Sequence, residues 1–180
     1  NNGLLVHLGS GTLVVEDVTL AGGRKYRSDA TALGGCIQSQ GNVILRDSSV
    51  PGCKARSQQN YASLGGGIWS QGSTHLYDSI ISGNEAFASG YGYASGGGVY
   101  AFGGFISQSS LIAGNIAHSP SSTPSFGGGV FARGYGGVSH NKKKAPNTKN
   151  QPQRRGKRER KRVGKGKKKK TGVKKLKKRK

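Results

Sequence analysis

The sequence predicts an all-β chain, a parallel β-helix solenoid, and three observations carry that prediction. First, four Gly-rich phrases recur: Gly34-Gly35-Cys36-Ile37, Gly65-Gly66-Gly67-Ile68, Gly96-Gly97-Gly98-Val99 and Gly127-Gly128-Gly129-Val130. Their closing aliphatic residues stand at 37, 68, 99 and 130, a constant step of 31. A fixed period of roughly 20 to 50 residues marks stacked supersecondary units. Second, no 3.6-residue apolar period runs between Gly3 and Asn141, and 28 of the first 141 residues are glycine. Each glycine in a helix interior costs about 1 kcal/mol relative to alanine. Third, the units keep register, so each strand can pair with its own copy about 4.8 Å further along. Each coil then touches only its neighbours.

Residues 3–23 read as a first, less regular coil. Leu13, Val15, Leu20 and Gly22 align at an offset of 30 with Val43, Leu45, Val50 and Gly52. The polar stretch Arg24 to Ala30 fits a projecting loop. Regular coils follow. After Ile68 come Gly72, the strand-like Ser73-Thr74-His75-Leu76-Tyr77, the pair Asp78-Ser79, then Ile80-Ile81 and Gly83-Asn84-Glu85-Ala86. Three short strands per coil are therefore expected, bounded by Gly, Ser, Asp and Asn, the residues that suit turns and tolerate left-handed backbone. The stretches Phe87 to Ser95 and His118 to Phe126 read as loops at one corner. The last coil breaks off after Val138, where a third strand and a Gly-Asn corner would be due.

Stacking like on like predicts ladders. Ile37, Ile68, Val99 and Val130 should form one inside the coil, and Val50, Ile81 and Ile112 a second. Ser39, Ser70, Ala101 and Ala132 fall two positions after the first ladder, on the same face. Asn84 and Asn115 should stack at a corner, their amides hydrogen-bonded along the axis.

The Gly-Gly-Gly-Ile/Val phrase, its turn and Ser-rich strand, and the endings Ile81-Ser82-Gly83-Asn84-Glu85-Ala86 and Ile112-Ala113-Gly114-Asn115-Ile116-Ala117 resemble the repeats of pectin-lyase-like proteins. More narrowly, they are similar to those of polymorphic outer membrane proteins and related surface adhesins. The resemblance covers about Gly3 to Asn141. It implies a right-handed coil at the cell surface or outside the cell. The scaffold hosts lyases, hydrolases and adhesins alike, so the fold does not select the activity.

The composition changes within one residue at Lys142. Residues 142–180 hold 22 of the 29 Lys and Arg residues against one acid, Glu159, a net charge of +21, whereas residues 1–141 carry seven basic and six acidic residues. With four apolar residues in 39, the tail is expected to be disordered. The division is thus a β-helix domain, 1–141, read as a fragment of a longer protein, and a basic tail, 142–180. A genuine tail would bind nucleic acid or another anionic surface through Arg154, Arg155, Lys157, Arg158, Lys167, Lys168, Lys169 and Lys170, since such runs neutralise phosphates and release counterions. The competing reading is an out-of-frame extension beginning in mid-coil.

Within the body, Trp69, Tyr100 and Phe131 occupy one position in successive coils, directly after the interior aliphatic residue, and should face outward. Such a strip can hold sugar rings or a partner's apolar surface; alternatively, the rings stack on one another and cover the sheet. Asp47 and Asp78 align in the same way. They suit a turn better than Ca²⁺, which needs more oxygen ligands than two carboxylates supply. Cys36 and Cys53 lie within one coil, either bridged or buried as free thiols. His7, His75, His118 and His140 show no metal spacing. No catalytic set, cofactor motif or metal motif stands out. The expectation is a non-catalytic surface or secreted repeat protein, of the extracellular space, cell surface or outer membrane, that adheres to carbohydrate or to a cell-surface macromolecule. The alternatives are a polysaccharide lyase or hydrolase of the pectin-lyase-like class, or an anionic-polymer binder acting through the tail.

Overall fold

The structure, a computed structural model, describes residues 3–120 and 123–139, with side chains as far as Tyr135. The chain divides into two compact units, Asn1–Lys143 and Lys144–Lys180. The second, and with it every anion-binding residue expected in the tail, lies outside the described residues.

The first unit is a parallel β-solenoid of about four coils with the expected spacing. Strands Leu5–His7, Ile37–Ser39, Ile68–Ser70, Val99–Ala101 and Val130–Ala132 form the first sheet. Strands Thr12–Glu16, Asn42–Arg46, Thr74–Tyr77, Phe105–Gln108 and Gly136–Ser139 form the second, and Ser49–Pro51, Ile80–Ser82 and Leu111–Ala113 the third. The fourth comprises Arg24–Arg27, Lys54–Ser57, Glu85–Ala88 and Ile116–His118, and the fifth Ala32–Leu33, Ser63–Leu64 and Ala94–Ser95. Every pairing is parallel, and in the regular coils each residue faces the one 31 positions on, as in Ile37, Ile68, Val99 and Val130.

A coil thus has five short strands, not three. The two missed ones lie in stretches expected to be loops or turns. Arg24–Arg27 carries no apolar alternation, yet it pairs with Lys54–Ser57 along its whole length. Glu85–Ala88 and Ala94–Ser95 bury Ala86, Ala88, Ala94 and Ser95. Alanine and serine are weak strand formers, so the pattern hides; neighbouring coils supply the pairing that makes these segments strands.

The interior is built from the predicted ladders. Ile37, Ile68, Val99, Val50, Ile81, Val43, Leu45 and Leu76 are all fully buried in one cluster, with Ile112 and Val130 packed against it. Ser39, Ser70 and Ala101 are buried beside it. At roughly 1.5–3 kcal/mol per buried aliphatic side chain, this column is the main favourable term. It is repeated once per coil.

Corners depend on residues that accept positive φ. Asp17, Asp47, Asp78 and Ser109 occupy one such corner at φ 54°, 44°, 47° and 48°, which fits the turn-forming reading of the aspartates. The Gly-rich phrase makes a sharper corner. Gly65 has φ 69°, and a Cβ on the following Gly66 would run into the backbone of Glu85 and the carbonyl of Gly97. Only glycine lets three backbones meet there.

Candidate ligand-binding surfaces

Cys36 and Cys53 are joined: the S–S distance is 2.05 Å and the Cα atoms lie 5.6 Å apart. Of the two readings the sequence left open, bridge or free thiols, the bridge is the one observed. Both cysteines are fully buried in the interior cluster. The bond links the corner before the first sheet to the corner before the fourth and so crosses one coil. Next to it, the Asn84 Oδ1 accepts the Cys53 N–H at 2.8 Å.

The expected aromatic strip is in register: Trp69 faces Tyr100 and Tyr100 faces Phe131. Tyr100 and Phe131 stack with centroids 5.3 Å apart and planes 20° from parallel. The strip lies outside the coil interior, but it is largely covered. Trp69 keeps 9% and Tyr100 5% of its surface exposed, because both pack with Leu33, Ala62 and Leu64 in a second apolar cluster. Burial, aided by nearby Tyr93, pushes the Tyr100 phenol above its usual range. Exposure passes instead to residues around the strip. Tyr61, Tyr91 and Tyr93 are exposed at the corner before the fifth sheet, and exposed Phe126 meets Phe131 at 6.1 Å. Arg133 lies over the ring of exposed Phe102 at 4.6 Å. Sequence reasoning missed these residues. The available signal was the segment Gly90-Tyr91-Gly92-Tyr93, whose tyrosines alternate with glycines in a presumed loop.

A second surface lies on the outer side of the fourth sheet. Parallel pairing sets Arg24 beside Lys54 and Lys54 beside Glu85, and sets Tyr26 beside Arg56 and Arg56 beside Phe87. Glu85 accepts from Lys54 at 3.0 Å and from Arg56 at 2.9 Å. Burial opposes the Glu85 charge, but the hydrogen bonds and charges of Lys54 and Arg56 outweigh it and hold the carboxyl below its ordinary value. The guanidinium of Arg56 also sits 5.5 Å from the centre of the Phe87 ring. Arg24, Lys25, Tyr26, Lys54 and Arg56 line an open groove of about 450 Å³. Lys25 occupies the interior position that Ala55 and Ala86 take in later coils. Burial, and then the charge of Arg27, draw its ammonium below the ordinary lysine range.

A smaller groove of about 210 Å³ at the second sheet is lined by Thr12, Asn42, Ile44, Ser73 and His75. Among the described residues, no group of three or more His, Cys, Asp or Glu side chains is placed to hold a metal ion. Compared with protein families, curated proteins and solved structures, the chain matches none.

Proposed function

We propose that this chain is a non-catalytic binding solenoid of a surface or secreted protein, which holds a polymeric ligand, carbohydrate foremost, against its outer faces. The observation that carries the reading is the aromatic margin of the fifth sheet. Tyr61, Tyr91, Tyr93 and Phe126 stay exposed around a cluster in which Trp69 and Tyr100 are buried and Phe131 is half-buried. Exposed rings on a rigid support offer large contact area with little side-chain entropy to lose, and tyrosine among glycine and serine is a composition binding surfaces favour. Two further features support it. The Cys36–Cys53 bridge suits an oxidising compartment, and the repeat phrase resembles those of pectin-lyase-like proteins and polymorphic outer membrane adhesins.

The test is to titrate the full chain with a panel of soluble polysaccharides, neutral and acidic, at physiological salt. The reading expects a retained polymer whose affinity falls at least about tenfold in a Tyr91→Ala, Tyr93→Ala variant. Cleavage of a panel member would replace it with the lyase or hydrolase reading. Binding that ignores the tyrosines and vanishes on deleting residues 142–180 would replace it with the anionic-polymer reading.

A further inference from the structure

The groove on the fourth sheet is an excess of positive charge held on a rigid frame. Four cationic side chains, Arg24, Lys25, Lys54 and Arg56, line it, and one carboxylate, Glu85, answers them. That carboxylate is shared by Lys54 and Arg56. Among the described residues, Arg24 and Lys25 have no acidic partner. Tyr26 is exposed between Arg24 and Arg56, so a ring face lies within the cationic field. The lining has a fixed pitch as well. Arg24 and Lys54 are register partners, as are Tyr26 and Arg56, and each pair is about 4.8 Å apart along the axis. That spacing is set by the backbone, so the cations are positioned before any ligand arrives.

We infer that this groove binds a sulfated saccharide, with its sulfate esters on Arg24, Lys54 and Arg56 and one sugar ring against Tyr26. The charge balance chooses a ligand bearing more than one anion: a single carboxylate would leave most of the excess unanswered, as Glu85 already does. The volume of about 450 Å³ suits a few sugar units. Arginine binds planar or tetrahedral oxyanions through paired N–H donors, and the tyrosine ring gives the uncharged face of a pyranose an apolar platform. This inference rests on the binding function proposed above and names one ligand class for a second surface of the same solenoid.

The experiment is an NMR titration of the isotopically labelled full chain with three probes: a sulfated hexasaccharide, its desulfated counterpart and inorganic pyrophosphate. Because the tail carries a net charge of +21, affinity alone does not locate binding, whereas amide shifts do. The expected result is that the sulfated probe shifts residues 24–27 and 54–57 and that the desulfated probe does not. Arg24→Gln and Arg56→Gln should each weaken the groove response about tenfold, with Arg46→Gln, which alters a cation paired to Glu16 on another sheet, as the unaffected control. Shifts confined to residues 142–180, or an Arg24→Gln protein indistinguishable from Arg46→Gln, would overturn the inference. Equal groove shifts with pyrophosphate would overturn the saccharide assignment. In any of these cases, neutral polysaccharide binding at Tyr91 and Tyr93 would leave the broader proposal standing. Loss of all polysaccharide binding would remove both.

Discussion

The Nδ2 of Asn84 donates to the Oδ1 of Asn115, one coil further along, at 2.8 Å. The same Asn84 amide also donates to the Val50 carbonyl at 2.8 Å, while its oxygen accepts the Cys53 N–H. Asn84 is 1% exposed, so truncation to alanine leaves buried donors and acceptors without partners or water. Unsatisfied buried groups cost about 1–3 kcal/mol each. Asn84→Ala should therefore destabilise the solenoid by about 3 kcal/mol in chemical denaturation. Asn115→Ala, at a half-buried site, should lose about half as much.

The Gly-rich corner gives a sharper contrast. Alanine at Gly66 would drive its methyl into the backbone of Glu85 and the carbonyl of Gly97, whereas a Cβ on Gly11 meets nothing within 4 Å. Gly66→Ala should lose at least about 3 kcal/mol and reduce the yield of folded protein. Gly11→Ala should leave the denaturation midpoint within experimental scatter.

Reducing the bridge tests its role in the fold. The cysteines are 17 residues apart, and closing a loop of that size restricts the unfolded chain by about 3 kcal/mol. A Cys36→Ala, Cys53→Ala protein should show that loss in its unfolding free energy. Because both sulfurs are buried, the native protein should resist dithiothreitol until denaturant opens the coil.

Among the described residues, the Ser95 hydroxyl is the one buried side-chain polar atom without a hydrogen-bond partner. It follows Ala94 in the short fifth-sheet strand and pairs in register with Leu64. Ser95→Ala removes the desolvated group without leaving a large void. The variant should equal or exceed the parent in stability by roughly 0–1 kcal/mol.

The ion-pair cluster on the fourth sheet predicts a pH dependence. The Glu85 carboxyl lies below its ordinary value of 4.5 in the folded chain. Its stabilisation is complete above that unfolded-state value and is lost as pH falls through the lower, folded-state one. Stability measured from pH 6 downward should therefore fall in this window, and a Glu85→Gln protein should show a shallower fall.

Much of this architecture is legible in the sequence because a solenoid writes its contacts as a period. Ile68 faces Val99 for the same reason that both follow three glycines, and Asn84 meets Asn115 because both follow a glycine. The two extra strands of each coil are not legible, since Ala86, Ala88 and Ala94 carry no apolar pattern of their own and depend on neighbours for pairing. The candidate surfaces divide in the same way. Alternation along Ile68-Trp69-Ser70 shows that Trp69 leaves the coil interior. It does not show that Leu33 and Leu64 fold over it, because that contact joins two sheets across a corner. The groove of Arg24, Lys54 and Arg56 was hidden for a related reason: its first strand reads as a polar loop until the adjacent coil is laid beside it.

The Cys36–Cys53 bond runs across a coil and not along the axis, which gives the molecule a mechanical asymmetry. Pulled from its two ends, such a column should come apart turn by turn, each turn releasing 31 residues, or about 105 Å of chain. The bridged turn has 17 of its residues tied off, so its step should be shorter by about 60 Å. A force–extension record would therefore carry one short step among longer ones, and reductant would lengthen it to match the rest.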